Sequence, residues 1–384
     1  MKTLLALFAL SAIVSAVHAA PTANAPVTVP IFRRPSSLPP FERRSAAARA
    51  ALEKFSPDGS ALARRSEPTG LLNVFDLYYH TNITIGSGQV VQVDLDTGSP
   101  DLWVTGPNCE PGPDGGEFGC LSMFDTVNLT DPLIEPTGKN FNDSFSDKST
   151  VAGEIYLATY TFADQTVTDE VIGIAEVETF TPMQISGLLG LSPKLNPSSY
   201  KGVYGNNGFP NAKSPTEALG LTSFGFYLSA NQDGDEGEFT VNGFDARRVQ
   251  SKSQTPFTFE PVDWQSGFWK FSNANGGILI NNTESKFTIP SSIADTGTTF
   301  ITLHDDDLPA IYSRVGADAH GKIDCGKSKS GPDIVFKFSD AEYHVPASAY
   351  VFFIDFNMCM VGIVGGARSV NVFGDIFLRA QYST

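Results

Sequence analysis

The tripeptide Asp-Thr-Gly occurs twice, at Asp96, Thr97, Gly98 and at Asp295, Thr296, Gly297, with 199 positions between the copies. One such tripeptide arises by composition about once in ten chains of this length. Two copies in equivalent settings are far less expected. Each follows an apolar approach (Val93 and Leu95; Ile293 and Ala294) and precedes a Ser or Thr and an apolar exit. Each half later sets two apolar residues before a glycine, Leu188, Leu189, Gly190 and Val372, Phe373, Gly374. The chain is therefore an internal duplication with one such loop per half, which restricts the fold to two lobes of related design.

The local pattern says what those lobes are made of. Short alternating runs such as "YYHTNITIG", "QVVQVDL", "AGEIYLATYTF", "TDEVIGIAEV", "FGFYLS", "EFTVNGF", "SKFTI", "DIVFKF" and "EYHV" are divided by Gly, Pro, Asn and Asp, as strands are. Only "SPTEALG" and "DDDLPAIYSRVGA" read as helical. The expectation is a mainly β protein with an N-terminal β-lobe over 66–250 and a C-terminal β-lobe over 251–384.

Two segments precede the lobes. Lys2, the apolar run "LLALFALSAIVSAV" and "HAA" have the order of a secretory signal peptide, residues 1–20. Residues 21–65 carry eight basic and three acidic side chains, a net of +5, and end on the dibasic Arg64-Arg65. Residues 66–384 hold 17 basic and 39 acidic side chains, a net of −22. A basic leader before so acidic a body reads as a propeptide that docks electrostatically and is cut after Arg65. Secretion also gives the four cysteines a disulfide reading. Of the three possible pairings the simplest is local, Cys109 with Cys120 and Cys325 with Cys359. Sequons at Asn82, Asn128, Asn142 and Asn281 fit glycosylation in that compartment, or in a vacuole on the same route.

No fingerprint for a dinucleotide, a phosphate loop or zinc is present, so no cofactor and no metal are expected. The acidic balance argues against nucleic acid. Asp305, Asp306 and Asp307 open a helical segment and read as N-terminal capping rather than a calcium cluster. "NQDGDEGE", Asn231 to Glu238, reads as a hairpin loop, and Trp264 and Trp269 as core or lobe-junction aromatics. Asp94 and Asp101, which flank the first motif, read as solvated strand-edge charges.

On "DTGSPDLWV", "ISGLLGLS", "FTVNGFD", "DIVFKFSDAEYHVPASAY" and "FGDIFLR", the chain from about Phe75 onward resembles the pepsin-like aspartic endopeptidases, most closely the secreted fungal type. The resemblance implies a bilobal β fold with the cleft between the lobes, a catalytic pair Asp96 and Asp295, and bracing of the loops by Thr97, Thr296 and Ser99. It also implies substrate contacts from Gly98, Gly297 and Thr298 and one disulfide per lobe. Hydrolysis of a peptide needs a nucleophile and an acid for the leaving nitrogen, and two adjacent carboxyls sharing one proton supply both. The expected partners are polypeptide substrates and the chain's own propeptide as an inhibitor, on a monomer.

Two departures from the family are visible. The substrate-covering hairpin, aligned backward from "STVAGEIY", sets Phe145 where the family carries Tyr, followed by Ser146 and Asp147. In fungal relatives an acid at the place of Asp147 admits Lys on the amino side of the cut. The family also continues for about another strand pair beyond "GDIFLRAQYST". These departures leave an alternative, a non-catalytic binding or decoy protein on the same fold. A glycosidase with paired acids is the rival from another class; its carboxyls would stand further apart.

Overall fold

The computed structural model describes residues 27–31, 79–112, 120, 126–146, 148–179, 186–193, 202–203, 209, 211–230, 237–245, 258–339, 341–355, 358–381 and 383. The signal segment, the dibasic pair, Asp147 and residues 231–236 lie outside them. The first β-lobe is a seven-stranded sheet in the order β2 (His80–Ile85), β3 (Gln89–Asp96), β8 (Gly187–Gly190), β4 (Leu102–Pro111), β7 (Gln165–Glu178), β6 (Thr150–Phe162) and β5 (Ile134–Ser144). A further pairing of β2 with β6, Thr84 opposite Thr161, curls the sheet back on itself. Alternation then puts Ile83, Ile85, Val91, Val93, Leu95, Tyr160 and Phe162 inside, each at most 2% exposed.

The second β-lobe has three smaller sheets. One runs β11 (Lys270–Ser272), β14 (Ser291–Ala294), β22 (Asn371–Phe373), β15 (Ile301–Thr302), β21 (Ile363–Val364). Another runs β13 (Thr283–Ser285), β12 (Gly277–Ile280), β17 (Ile334–Phe338), β18 (Ala341–Val345), and the third β16 (Lys322–Ile323), β20 (Met358–Val361), β19 (Val351–Asp355). Between them Phe336, Phe338, Phe373 and Phe377 pack edge to face, with ring centroids 4.8 to 5.9 Å apart.

A third layer joins the leader to the body. β1 (Val27–Ile31) pairs antiparallel with β10 (Gly237–Val241), which pairs with β9 (Phe224–Tyr227), and Ser383 bridges to Phe226. Each lobe holds one disulfide, Cys109–Cys120 and Cys325–Cys359, each with Cα atoms 5.2 Å apart.

Some expectations are revised. "SKFTI" is a strand only at its start, because the Thr288 amide and hydroxyl both donate to the Asp307 carboxylate instead of to a ladder partner. The aspartate run does open a helix, Leu308–Val315, yet two of its carboxylates act as tethers: Asp307 holds Thr288, and Asp305 accepts from the Gly366 amide and Arg368, both at 2.9 Å. Trp269 lies at the lobe junction, its Nε1 donating to the Leu191 carbonyl at 2.9 Å, whereas Trp264 is 60% exposed and only its edge meets Trp269.

Candidate active site

The same three-strand device carries both Asp-Thr-Gly loops. In the first lobe β3 runs into its loop beside β8, parallel, with Asp96 opposite Gly190, and the exit strand β4 returns antiparallel on the other side of β8. In the second lobe β14 lies parallel to β22 with Ala294 opposite Phe373, and β15 returns antiparallel along the other edge of β22. The two apolar-apolar-glycine strands therefore sit under the loops as wedges between entry and exit. Main-chain bonds fasten them: the Leu191 amide donates to the Asp96 carbonyl at 2.6 Å and the Asp295 amide to the Phe373 carbonyl at 3.1 Å.

The loops meet tip to tip. The Thr97 amide donates to the Thr296 hydroxyl at 3.0 Å, and the Thr296 amide donates to the Thr97 hydroxyl at 2.9 Å. Each hydroxyl in turn donates to a carbonyl of the opposite loop, Thr97 to Ala294 and Thr296 to Leu95. All four groups are buried, where an unpaired amide costs about 1–3 kcal/mol, so the register between the lobes is fixed by necessity.

Each carboxyl is gripped in the same way. Asp96 Oδ1 accepts the Gly98 amide at 2.7 Å and Oδ2 the Ser99 hydroxyl at 2.6 Å. Asp295 Oδ1 accepts the Gly297 amide at 2.9 Å and Oδ2 the Thr298 hydroxyl at 2.8 Å. Thr298 is thus the counterpart of Ser99, largely buried against Asp295. The two carboxyls face each other across the glycines. A Cβ on Gly98 would stand 2.5 Å from Asp295 Oδ1, and one on Gly297 would collide with Asp96 Oδ1, so only glycine permits this approach. Burial first, then the charge of Asp295, pushes the Asp96 carboxyl well above the usual carboxylate range, against the lowering effect of the Ser99 hydroxyl.

The hairpin of β5 and β6 ends in Phe145 and the exposed Ser146; the Phe145 amide donates to the Ser149 carbonyl and the Lys148 amide to the Phe145 carbonyl, both at 2.9 Å. Phe145 is half-buried against the cluster of Trp103, Phe141 and Val151. The four sequon asparagines, Asn82, Asn128, Asn142 and Asn281, are all exposed.

Asp94 and Asp101 correct the sequence reading: both are 1% exposed. β3 is a central strand covered on both faces, so its polar face is no solvent edge. Asp101 is used as an acceptor, its Oδ2 taking the Val203 amide at 2.7 Å. Strand alternation could not reveal this, because it distinguishes the two faces without saying what covers them. Among the described residues, the one His/Cys/Asp/Glu cluster tight enough for a metal is Cys109, Cys120 and Glu178, and its two sulfurs are bonded to each other. There Glu178 accepts from the Thr105 hydroxyl at 2.8 Å, and burial raises its carboxyl.

Comparison with known proteins agrees with this geometry. The family profile for eukaryotic aspartyl protease matches residues 78–384. The chain is 29% identical to Rhizopuspepsin-2 of Rhizopus niveus, over 97% of this chain and 93% of that protein. It is 28% identical to Rhizopuspepsin-1 of the same organism with the same coverage, and 28% identical to gastricsin of Cavia porcellus over 81% of this chain and 78% of that protein.

Proposed function

Since the chain belongs to the eukaryotic aspartyl protease family, we propose that it is a secreted, acid-acting aspartic endopeptidase made as a zymogen, with Asp96 and Asp295 as the catalytic pair. The observation that carries this reading is the paired grip on two facing carboxyls, each holding one amide and one hydroxyl donor. Like charges so close do not both ionise, and the pair holds one proton between them. The ionised member draws a proton from a water as it attacks the scissile carbonyl, giving a tetrahedral diol. The protonated member hands its proton to the carbonyl oxygen; the pair then gives a proton to the departing nitrogen while one diol hydroxyl returns its own to the pair, and the C–N bond breaks to release acid and amine. Net proton count is unchanged and the pair ends as it began. The fixed amides and hydroxyls keep both carboxyls in place throughout, so no reorganisation is needed at the moment of reaction. Phe145 closes over the peptide from the flap and excludes water.

Zymogen control rests on the basic leader. Part of it, β1, supports this by pairing with β10 of the body, and a net of +5 against −22 favours a shut state near neutrality. Secretion rests on the N-terminal segment and the four exposed sequons; no helix among the described residues is long and apolar enough to cross a membrane. The binding or decoy alternative has less support. Both carboxyls retain their donors, a cost that a mere binder has no use for, and the relatives are named as proteases.

The test is acid processing of the purified full chain, followed by digestion of casein with and without a statine-type transition-state mimic. Digestion at acid pH that the mimic abolishes supports the reading. Acid digestion insensitive to the mimic, or none after the leader is removed, contradicts it.

A further inference from the structure

Asp94 is a third carboxyl in the first loop's approach, buried to 1% exposure and unused by the hydrolysis described above. It stands two residues before Asp96 on β3. Side chains at i and i+2 of a strand share a face, about 7 Å apart, so Asp94 and Asp96 point the same way. The register of β2 against β3 sets His80 directly opposite Asp94. Directly opposed side chains share a face with Cβ atoms about 5 Å apart, and His80 is itself 5% exposed. From β8 the register brings Leu188, which carries no charge. Among the described residues, the titratable groups that the sheet assembles around Asp94 are thus His80 from β2 and Asp96 from its own strand, with Asp295 beyond Asp96.

We propose that Asp94 is a positioning residue for the dyad: its carboxylate, held on the Asp96 face, opposes a second negative charge on the pair and so sets where activity fades on the alkaline side. This rests on the reading of Asp96 and Asp295 as the catalytic pair. The charge of Asp94 favours the protonated form of Asp96, in line with its contribution to the upward shift of that carboxyl. Loss of the shared proton ends catalysis, so the group that delays this loss widens the working range upward in pH.

The sign of the substitution follows. Asp94→Asn removes the anion, which favours ionisation of the dyad, so the alkaline limb moves toward acid. At about 7 Å, and a dielectric between those of protein and water, one charge shifts a neighbour's titration by roughly half to one and a half pH units. Asp94→Glu restores the charge.

The experiment is kcat/KM against pH, from 2 to 7, for the acid-activated wild type and the two variants on one fluorogenic peptide, each curve normalised to its own maximum. A limb shifted acidward in Asp94→Asn and returned toward wild type in Asp94→Glu supports the proposal. A merely structural role lowers the amplitude and leaves the limb in place. A limb that does not move, or an Asp94→Glu curve that follows Asp94→Asn, overturns it. Should Asp94→Asn not fold, the Asp94→Ser curve decides: an unmoved limb overturns the proposal. A wild type without acid peptidase activity would instead defeat the assignment of the dyad, an outcome separate from an active wild type with an unmoved limb.

Discussion

Thr97 and Thr296 brace one another across the lobe junction, each amide donating to the other's hydroxyl, at 3.0 and 2.9 Å. The brace couples two lobes whose carboxyls must meet within a fraction of an ångström. A displacement of about 1 Å at a reacting group costs on the order of 100-fold in rate.

Thr296→Val keeps the shape and removes the hydroxyl, leaving the buried Thr97 amide without its acceptor. A loss of about 1–3 kcal/mol of stability is expected, read from denaturant midpoints. Activity should fall more than tenfold, while Thr296→Ser retains most of both. Equal activity of the Val and Ser variants would show that the brace does not position the dyad.

The raised Asp96 carboxyl makes a stability prediction of definite sign. Its folded-state value lies well above the ordinary carboxylate value of 3.8, chiefly through burial. A group shifted up favours the folded state only while protonated, so its contribution is full below about 3.8 and is lost as pH rises through the folded value. Asp96→Asn removes this titration. Its melting temperature should match that of the wild type near pH 3 and exceed it increasingly toward neutrality. A variant that melts lower than the wild type at pH 7 would contradict the direction of the shift.

Much of the fold was legible because period-2 alternation and its Gly, Pro and Asn breaks survive in the sequence. β2, β3, β6, β7, β9, β10, β17 and β18 all overlap runs read as strands. The long strands β4 and β5 escaped, and so did the short ones. β14, β15, β21 and β22 are two to four residues long and gain their pairing from the loops they hold, a tertiary effect without local periodicity. The dyad's neighbourhood was legible through the repeated tripeptide and the Leu-Leu-Gly and Val-Phe-Gly echoes. Asp94 and Asp101 were misread, since the burial of a strand's polar face, or of a loop carboxyl that accepts a distant amide, depends on what packs over it.

The sequence resemblance sets Phe145, at the end of the β5–β6 hairpin, where the family carries Tyr. The ring supplies the apolar contact with Trp103, Phe141 and Val151, and what it lacks is one neutral hydrogen bond. Such a bond is worth about 0.5–1.5 kcal/mol net, and about 1.4 kcal/mol is a decade of rate. Phe145→Tyr should raise kcat/KM by roughly threefold to tenfold. No change would remove the ring from the substrate-covering position, and a rise from nothing to robust turnover would favour the non-catalytic alternative.

Charge complementarity between leader and body predicts salt-dependent activation. Residues 21–65 carry a net of +5 and the rest of the chain from 66 a net of −22, and ions screen attraction between such charges within about 8–10 Å at moderate ionic strength. At a fixed pH near 5, raising the salt from low to about 0.5 M should speed conversion to the mature form, followed by gel densitometry. A rate independent of ionic strength would leave the pairing of β1 with β10, not charge, as the restraint.

The central claim is that Asp96 and Asp295 act as one proton-sharing pair, and amide substitution tests it most directly. Asp96→Asn and Asp295→Asn keep shape and the hydrogen bonds from Gly98 and Gly297, but an amide neither shares the proton nor activates water. Acid hydrolysis of casein by each purified, folded variant, with leader removed by an external protease, should fall below about one per cent of wild type. Activity above that level in either variant would contradict the dyad.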